Sequence, residues 1–285
     1  MILKFIMVEI PFDKIKKLIS NEIPKELTNE IPDKWEKVGD IGIIKLPKSL
    51  KKYSNIIGEK YASILNCKTI LNDIGGIIGE LREPKTEIIY GPTDTITVHK
   101  ENKIRFKLDP QKIMFSSGNM DERIRMANVS NKNETVVDLF AGIGYFSIPM
   151  AVFSKPKKIF SCELNSVSYN FLCENITLNN VTDIVEPIKG DCKSVAPKNI
   201  ADRVLLGYII DTKKFLPTAF ECLNENKGLI HYHDKFSDNS VPKKPIDNIK
   251  AIAKKYNCIA DLIDYKKVKS YAPGISHYVF DIGID

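Results

Sequence analysis

Thr135-Val-Val-Asp-Leu-Phe-Ala-Gly-Ile-Gly-Tyr-Phe-Ser147 is the stretch that decides the fold. Val136, Val137, Leu139 and Phe140 form a short apolar run of buried-strand type, and Asp138 is the one charge inside it. Gly142 and Gly144 permit a tight turn and let a ligand approach the backbone. Residues from Tyr145 to about Phe153 suit a helix. A helix start offers unpaired N–H groups and the positive end of a dipole above the strand. Strand, glycine turn and helix in this order make the cofactor turn of an open α/β sheet.

The pattern continues toward the carboxyl end. Lys158–Cys162 reads as a strand ending on Glu163, followed by a helix over Ser166–Leu178. A third strand near Ile184–Ile188 ends at Gly190-Asp191-Cys192. A fourth, Arg203–Leu206, runs into Gly207-Tyr208, and a helix follows over Phe215–Leu223. Gly228–Tyr232 is a fifth strand, with a helix near Ile246–Tyr256. Two last strands, Cys258–Val268 and His277–Ile284, are joined by Tyr271-Ala-Pro-Gly-Ile275 with no helix between them. Alternating strands and helices imply a parallel sheet, and the closing pair implies one antiparallel strand at its end. The expectation is an α/β, Rossmann-like domain over residues 109–285.

Upstream, Ser116, Ser117, Gly118 and Asn119 form a polar loop, and Asp121 can start a helix carrying Glu122, Arg123 and Arg125. Residues 1–108 read as a smaller α+β domain. Met1–Glu9 looks like a first strand rather than a signal peptide, being short and broken by charge. A helix follows it. Trp35–Leu46 reads as a strand entered through a turn and stopped by Pro47, and Tyr53–Leu65 as a helix. Strand-like segments surround the Gly75-Gly76 turn. Arg82 stands beside acids in a turn over 79–84, and further strands cover 86–98 and 103–108.

Composition sets bounds. A 43% hydrophobic share suits a globular protein, and a net charge of +6 permits a nucleic-acid partner without requiring one. Six scattered cysteines, with no Cys-x-x-Cys pair, read as reduced thiols of a cytoplasmic protein. They suggest neither a zinc site nor a disulfide frame. His231 and His233 share a strand face, but no ligand cluster joins them, so no metal is expected. No apolar run approaches the ~20 residues of a membrane span.

Two cofactors use a glycine turn followed ~20 residues later by an acid for the ribose hydroxyls: nicotinamide dinucleotides and S-adenosyl-L-methionine. Glu163 lies 21 residues after Gly142 and fills that role, since a carboxylate accepts two hydroxyl hydrogens. Three features favour S-adenosyl-L-methionine. Position 147 is Ser where a third dinucleotide glycine would fall, Asp191 follows the next strand where an adenine amino group could donate to it, and the chain closes on a helix-free hairpin. Cys192 would offer its backbone N–H to adenine. Asp138 can alternatively be a structural acceptor for the turn amides, and Glu122-Arg123 an ordinary surface pair.

Asp138-Leu-Phe-Ala-Gly-Ile-Gly-Tyr-Phe-Ser147 resembles motif I of class I S-adenosylmethionine-dependent transferases. More narrowly, the chain resembles the archaeal and eukaryotic tRNA enzymes that modify the purine at position 37. That family comprises the guanine-N1 methyltransferase and the wybutosine-pathway aminocarboxypropyltransferase. Gly39-Asp-Ile-Gly-Ile-Ile-Lys-Leu-Pro47, Gly79-Glu-Leu-Arg82, Phe115-Ser116, Glu122-Arg123 and Tyr271-Ala-Pro273 carry the resemblance, which covers nearly the whole chain. It implies a class I methyltransferase fold, S-adenosyl-L-methionine as group donor and tRNA as partner. It also implies Glu122 as base, Arg82 as the arginine that orients the acceptor, and Ser116, Ser117 and Arg123 near the methionine portion.

Two departures separate the siblings. The methyltransferase carries Asn-Leu-Pro after the fourth strand and Ser-Pro-Arg in the first loop. This chain has Leu206-Gly-Tyr208 and Ser116-Ser-Gly118-Asn119, which look like the aminocarboxypropyltransferase. An arginine missing at position 118 removes one anchor for the methionine tail and permits another pose. The resemblance therefore implies transfer of a 3-amino-3-carboxypropyl group to carbon 7 of 4-demethylwyosine at position 37 of phenylalanine tRNA. The alternative is tRNA guanine-37 N1-methylation; an RNA-binding protein with a vestigial cofactor fold and a small-molecule methyltransferase are further readings. Some of the lysine clusters, with Arg105, Arg125 and Tyr271, are expected to touch phosphates.

Overall fold

A computed structural model describes residues 10–285, so the strand expected over Met1–Glu9 lies outside the described residues. The chain divides into two compact units, Met1–Lys100 with Lys107–Phe115, and Glu101–Phe106 with Ser116–Asp285.

In the first unit, α1 (Pro11–Ile19) begins with proline, whose missing N–H costs nothing in the first turn. Ile15 and Ile19, four residues apart, bury one face of it. β1 (Trp35–Val38) and β2 (Ile41–Ile44) pair antiparallel. The strand expected after a turn within 35–46 is β2, and the residues before the turn form a second strand, β1, that makes the stretch a hairpin. Gly39 makes the reversal at φ +59°, with Thr97 so close that a Cβ would overlap its hydroxyl. α2 (Ser54–Leu65) crosses over to β3 (Thr69–Ile78), which therefore runs parallel to β2. β4 (Glu83–Tyr90) returns antiparallel to β3. β3 does not turn at Gly75-Gly76; it passes through them with a register shift, and the reversal comes at 79–82. Ile15, Ile19, Ile57 and Tyr61 from the helices pack with Ile44 and Ile70 from the sheet. β5 (Thr97–Glu101) and β6 (Ile104–Leu108) form a separate two-stranded sheet.

The second unit contains α3 (Met120–Met126), β7 (Thr135–Asp138), α4 (Ser147–Phe153), β8 (Lys158–Glu163), α5 (Ser166–Leu178), β9 (Val185–Lys189), α6 (Cys192–Val195), β10 (Arg203–Leu206), α7 (Leu216–Cys222), β11 (Gly228–Ser237), α8 (Lys243–Ala253), β12 (Ala260–Ala272) and β13 (Ile275–Ile284). Seven strands form one sheet in the order β12-β13-β11-β10-β7-β8-β9. All pairs are parallel except the two made by β13. The fold is thus the Rossmann-like one expected, with a single antiparallel strand.

The chain winds outward from β7 to β9, then returns to place β10 on the other side of β7. That reversal opens a crevice above the carboxyl ends of β7 and β10. β11 is longer than expected because β13 pairs with it from Gly228↔Ile284 to Ser237↔Ile275, giving residues beyond the end of β10 a partner. Val137, Val204, Ile230, Leu216, Phe220 and Phe280 belong to the continuous apolar core that holds the sheet against its helices. Among the described residues, no helix is long and apolar enough to cross a membrane.

Candidate active site

The glycine turn occupies residues 139–146, and α4 starts only at Ser147. Gly142 has φ +59°, and a Cβ there would meet the Tyr145 ring at 2.7 Å. The expected supply of unpaired N–H groups is not what the turn offers. Gly144 N–H donates to Ala141 O at 2.8 Å, and Tyr145 N–H to the same oxygen at 3.2 Å. Gly142 N–H donates to Glu163 Oε2 at 2.8 Å. The turn is closed on itself and on the acid at the end of β8.

Asp138 is fully buried. It accepts from Phe140 N–H at 3.2 Å and from Ser147 Oγ at 2.6 Å, and Ser161 Oγ donates onward to Ser147 Oγ at 2.9 Å. Burial pushes its carboxyl up to about 6, against the pull of these donors. Asp138 therefore ties β7, α4 and β8 together beneath the turn, which is the structural reading weighed for it.

Glu163 is half-buried. Its Oε1 accepts from Asn165 N–H at 2.6 Å while Oε2 holds Gly142. Burial raises this carboxyl to about 6, with both backbone N–H groups opposing the shift. Gly190 N–H donates to Glu163 O at 3.0 Å, which brings the end of β9 alongside. The next residue, Asp191, is exposed and caps α6 by accepting from Lys193 N–H at 3.0 Å. Cys192 turns its thiol into the core, where burial and then Asp191 push it up to about 12 and leave it inert at neutral pH.

On the far side of the turn, Phe140 stacks on Tyr208 with ring centroids 5.1 Å apart, and Phe215 meets Phe140 edge-on at 4.8 Å. Gly207 lies against Phe146, where a Cβ would come within 3.0 Å of the ring. Leu206-Gly-Tyr208 is thus packed directly on Phe140 and Phe146 of the glycine turn. Phe146 also stacks on His233 at 5.3 Å.

α3 carries the other expected residues. Arg123 is buried in a two-bond ion pair with Glu101, Nε to Oε1 and Nη2 to Oε2 both at 2.6 Å. Its Nη1 donates to Ser116 O at 3.0 Å, which fixes the loop expected near the methionine portion. Lys269 Nζ donates to Ser116 Oγ at 2.8 Å from β12. Ser117 lies in a single 3-10 turn over Ser117–Asn119.

Glu122 is 1% exposed, so it is no surface pair. It begins a buried polar ladder that sequence reasoning did not find. Arg125 grips Glu122 through Nε at 2.9 Å and Nη2 at 2.7 Å, and reaches Asp281 Oδ2 at 2.5 Å. Asp281 Oδ1 lies 2.6 Å from His231 Nδ1, and His231 Nε2 lies 2.5 Å from Arg203 Nη1. Arginine can only donate, so His231 Nε2 accepts and Nδ1–H donates to Asp281. Arg203 closes the ladder on Glu134 at 2.7 Å. Burial opposes ionisation of Asp281, but the His231 bond and the Arg125 charge outweigh it and hold the carboxyl below its usual range. Burial raises Glu122, with Arg125 opposing.

His233 Nε2 stands 3.7 Å from Glu122 Oε1, and its Nδ1 lies 3.1 Å from His277 Nε2. Burial first, then His277, keeps His233 well below its usual range and so neutral. The even spacing of His277 and Asp281 on the strand pairing with His231 and His233 was the one sequence signal for this cluster. Arg125 is committed to the ladder rather than to phosphates. Arg105, which is exposed, donates to Leu178 O from Nη2.

The structure therefore gathers Gly142, Glu163 and Asp191 at adjacent strand ends. It links Glu122 through His233 and Phe146 to the turn at 206–208. Arg82, in the first unit, sits at φ +57° in the β3–β4 turn with Nη2 3.2 Å from Met114 Sδ. Among the described residues no group of three His, Cys, Asp or Glu is placed to hold a metal ion.

Comparison with known proteins identifies the family. The family model described as the TRM5/TYW2 methyltransferase domain matches residues 97–260, and that of the TYW2 N-terminal domain matches 15–95. The chain is 41% identical over 271 residues to the tRNA(Phe) (4-demethylwyosine(37)-C(7)) aminocarboxypropyltransferase of Pyrococcus horikoshii, covering 95% of this chain and 96% of that protein. It is 33% identical to the tRNA (guanine(37)-N(1))-methyltransferase Trm5b of Pyrococcus abyssi, covering 88% and 74%. The crystal structure of P. horikoshii TYW2 in complex with MeSAdo superposes with a TM-score of 0.86 at 38% identity, covering 96% of this chain and 99% of that one. The chain belongs to the TRM5/TYW2 methyltransferase family.

Proposed function

We propose that this protein transfers the 3-amino-3-carboxypropyl group of S-adenosyl-L-methionine to carbon 7 of 4-demethylwyosine at position 37 of phenylalanine tRNA. The observation that carries this reading is the 41% identity to an enzyme of that name along nearly its full length, against 33% for the N1-methyltransferase. Leu206-Gly-Tyr208 supports it locally. Gly207 leaves room for Phe146 beside it, and that turn borders the crevice where the two siblings must differ.

The residues present fit the group donor. Glu163 and Asp191, joined by the Gly190 N–H to Glu163 O bond, offer carboxylate acceptors at successive strand ends for a ribose diol and an adenine amino group. Gly142 has no side chain to displace the Tyr145 ring that packs against the turn. Asp138 acts one layer down by holding α4 and the turn. Ser116 and Ser117 would line the methionine portion, while Arg123 positions Ser116 from below. Bound S-adenosyl-L-methionine supplies a sulfonium whose C–S bond breaks as the new C–C bond forms, with the electron pair leaving on a neutral thioether.

Carbon 7 must also lose its proton, whose bonding pair returns to the ring. Glu122 is the proposed acceptor of that proton, and burial already favours its protonated form. At 1% exposure it can do so only when the acceptor base, or a water, enters beside α3. Arg82 is proposed to orient the acceptor. Six free cysteines and the tRNA substrate support a cytoplasmic setting.

The test is mass spectrometry of tRNA after reaction with S-adenosyl-L-methionine labelled in either the methyl or the aminocarboxypropyl portion. Guanosine-37 and demethylwyosine-37 tRNAs are compared side by side. Label from the aminocarboxypropyl portion on demethylwyosine-37 is expected. Methyl transfer alone, to guanosine-37, would replace this reading with the N1-methyltransferase.

A further inference from the structure

We propose that the end of β12 at Tyr271, with Lys266 and Lys269 on the same sheet face and Lys235 of β11, is a stacking platform for single-stranded RNA flanking the reacting nucleotide. This deepens the reading of tRNA as substrate and rests on it. Tyr271 is 52% exposed, an unusual state for a large ring on a strand, and Lys235 Nζ sits 4.2 Å from its centroid. Lys235, His277 and Lys269 are register neighbours across β11, β13 and β12, so both lysines leave the same face of the sheet. Lys266, paired with Val279, leaves that face as well and is exposed.

An aromatic ring flanked by ammonium groups suits a strand whose bases can stack and whose phosphates need counter-charge. A β-strand partner suits this edge less well. β12 has three register shifts, after Leu262, Lys267 and Ser270, which break up the regular row of backbone donors and acceptors that strand addition needs. The platform also has a fixed place relative to the chemistry. Lys269 Nζ donates to Ser116 Oγ, so β12 is bonded to the loop assigned to the methionine portion.

The experiment measures binding of the full-length protein to an anticodon stem–loop RNA by fluorescence anisotropy across a salt series, and S-adenosyl-L-methionine affinity by calorimetry. Tyr271→Ala should weaken RNA binding about 5- to 150-fold, as loss of one base–aromatic stack does, while Tyr271→Trp retains it. Lys235→Ala should weaken binding and lower the slope of log K against log salt by about 0.7, one single-strand phosphate contact. Cofactor affinity should stay at the wild-type value in all three. Wild-type RNA affinity in both alanine variants would overturn the platform alone. Equal loss of cofactor and RNA affinity in Tyr271→Ala would also overturn it, by making Tyr271 a structural residue. A wild-type protein that does not bind the stem–loop would sink the tRNA reading itself, and the platform with it.

Discussion

Replacing Glu163 with Gln tests the cofactor reading most directly. The carboxylate has two neighbours already, Gly142 N–H at 2.8 Å on Oε2 and Asn165 N–H at 2.6 Å on Oε1. An amide keeps one acceptor and turns the other oxygen into an N–H that faces a donor. One charge-assisted bond is lost and one N–H is left unmatched, at a cost of about 1.5–3 kcal/mol in stability. At about 2–4 °C per kcal/mol for a unit of this size, the melting temperature should fall by roughly 3–12 °C. The ribose loses a charged acceptor as well. A second term of about 1.5–3 kcal/mol raises the Kd of S-adenosyl-L-methionine roughly 10- to 150-fold. Calorimetry with the natural donor and with an analogue lacking the ribose hydroxyls separates the two terms. In the wild type the analogue should bind weakly; in Glu163→Gln, donor and analogue should bind alike. Unchanged affinity in the variant would refute the ribose assignment. Additive losses from variant and analogue would show that Glu163 acts only through the glycine turn.

pH offers an independent check. Burial raises Glu163 to about 6 in the free protein, and the ribose needs the ionised form. Donor affinity should be flat above about pH 7, weaken as pH falls through about 6 by up to ~10-fold per unit, and lose this dependence in Glu163→Gln. A raised carboxyl also favours the fold at low pH: its contribution is full below about 4.5 and is lost as pH rises through about 6. Asp281 has the opposite sign, stabilising above the unfolded value of ~3.9 and losing that contribution as pH falls below it. Asp281→Ala should destabilise the second unit by about 2–3 kcal/mol in denaturant titration, somewhat under the ~3–5 of a fully dry pair because its side chain is 17% exposed. Glu122→Gln should cut turnover by about 100-fold or more while leaving donor and tRNA affinities within about 2-fold; intact turnover would remove its role as base.

The centre of the sheet was legible because β7 and β10 are short and buried on both faces, and because glycine turns and acids punctuate the strand ends. Helix α5 begins and ends where its pattern says, since Asn165 caps it through Val167 N–H. Misreadings occurred where pairing partners decide the outcome. Trp35–Leu46 shows its turn, but not that Trp35–Val38 ahead of it pairs back on Ile41–Ile44. β11 outruns its apolar core because β13 extends past β10. Glu163, Asp191 and Gly142 could be found from spacing along the chain. The ladder could not, because its members lie far apart in sequence and meet only through the register of β10, β11 and β13. For the same reason the sequence pointed Arg125 to phosphates, and Arg123 to the methionine portion or a surface pair. Burial, which the sequence of a short charged helix does not reveal, turned both inward.

That ladder has an unequal count of charges. Glu122, Asp281 and Glu134 supply three carboxylates, while Arg125 and Arg203 supply two guanidiniums, and His231 between them is neutral in its bonded tautomer. Fully ionised, the row holds one negative charge in excess. Glu134 and Asp281 are 16% and 17% exposed and can share theirs with water, whereas Glu122 at 1% cannot. The excess is therefore least tolerated at the end of the row beside His233. A proton arriving there completes the balance of the whole row, so the protein gains internal neutrality at the moment Glu122 is protonated.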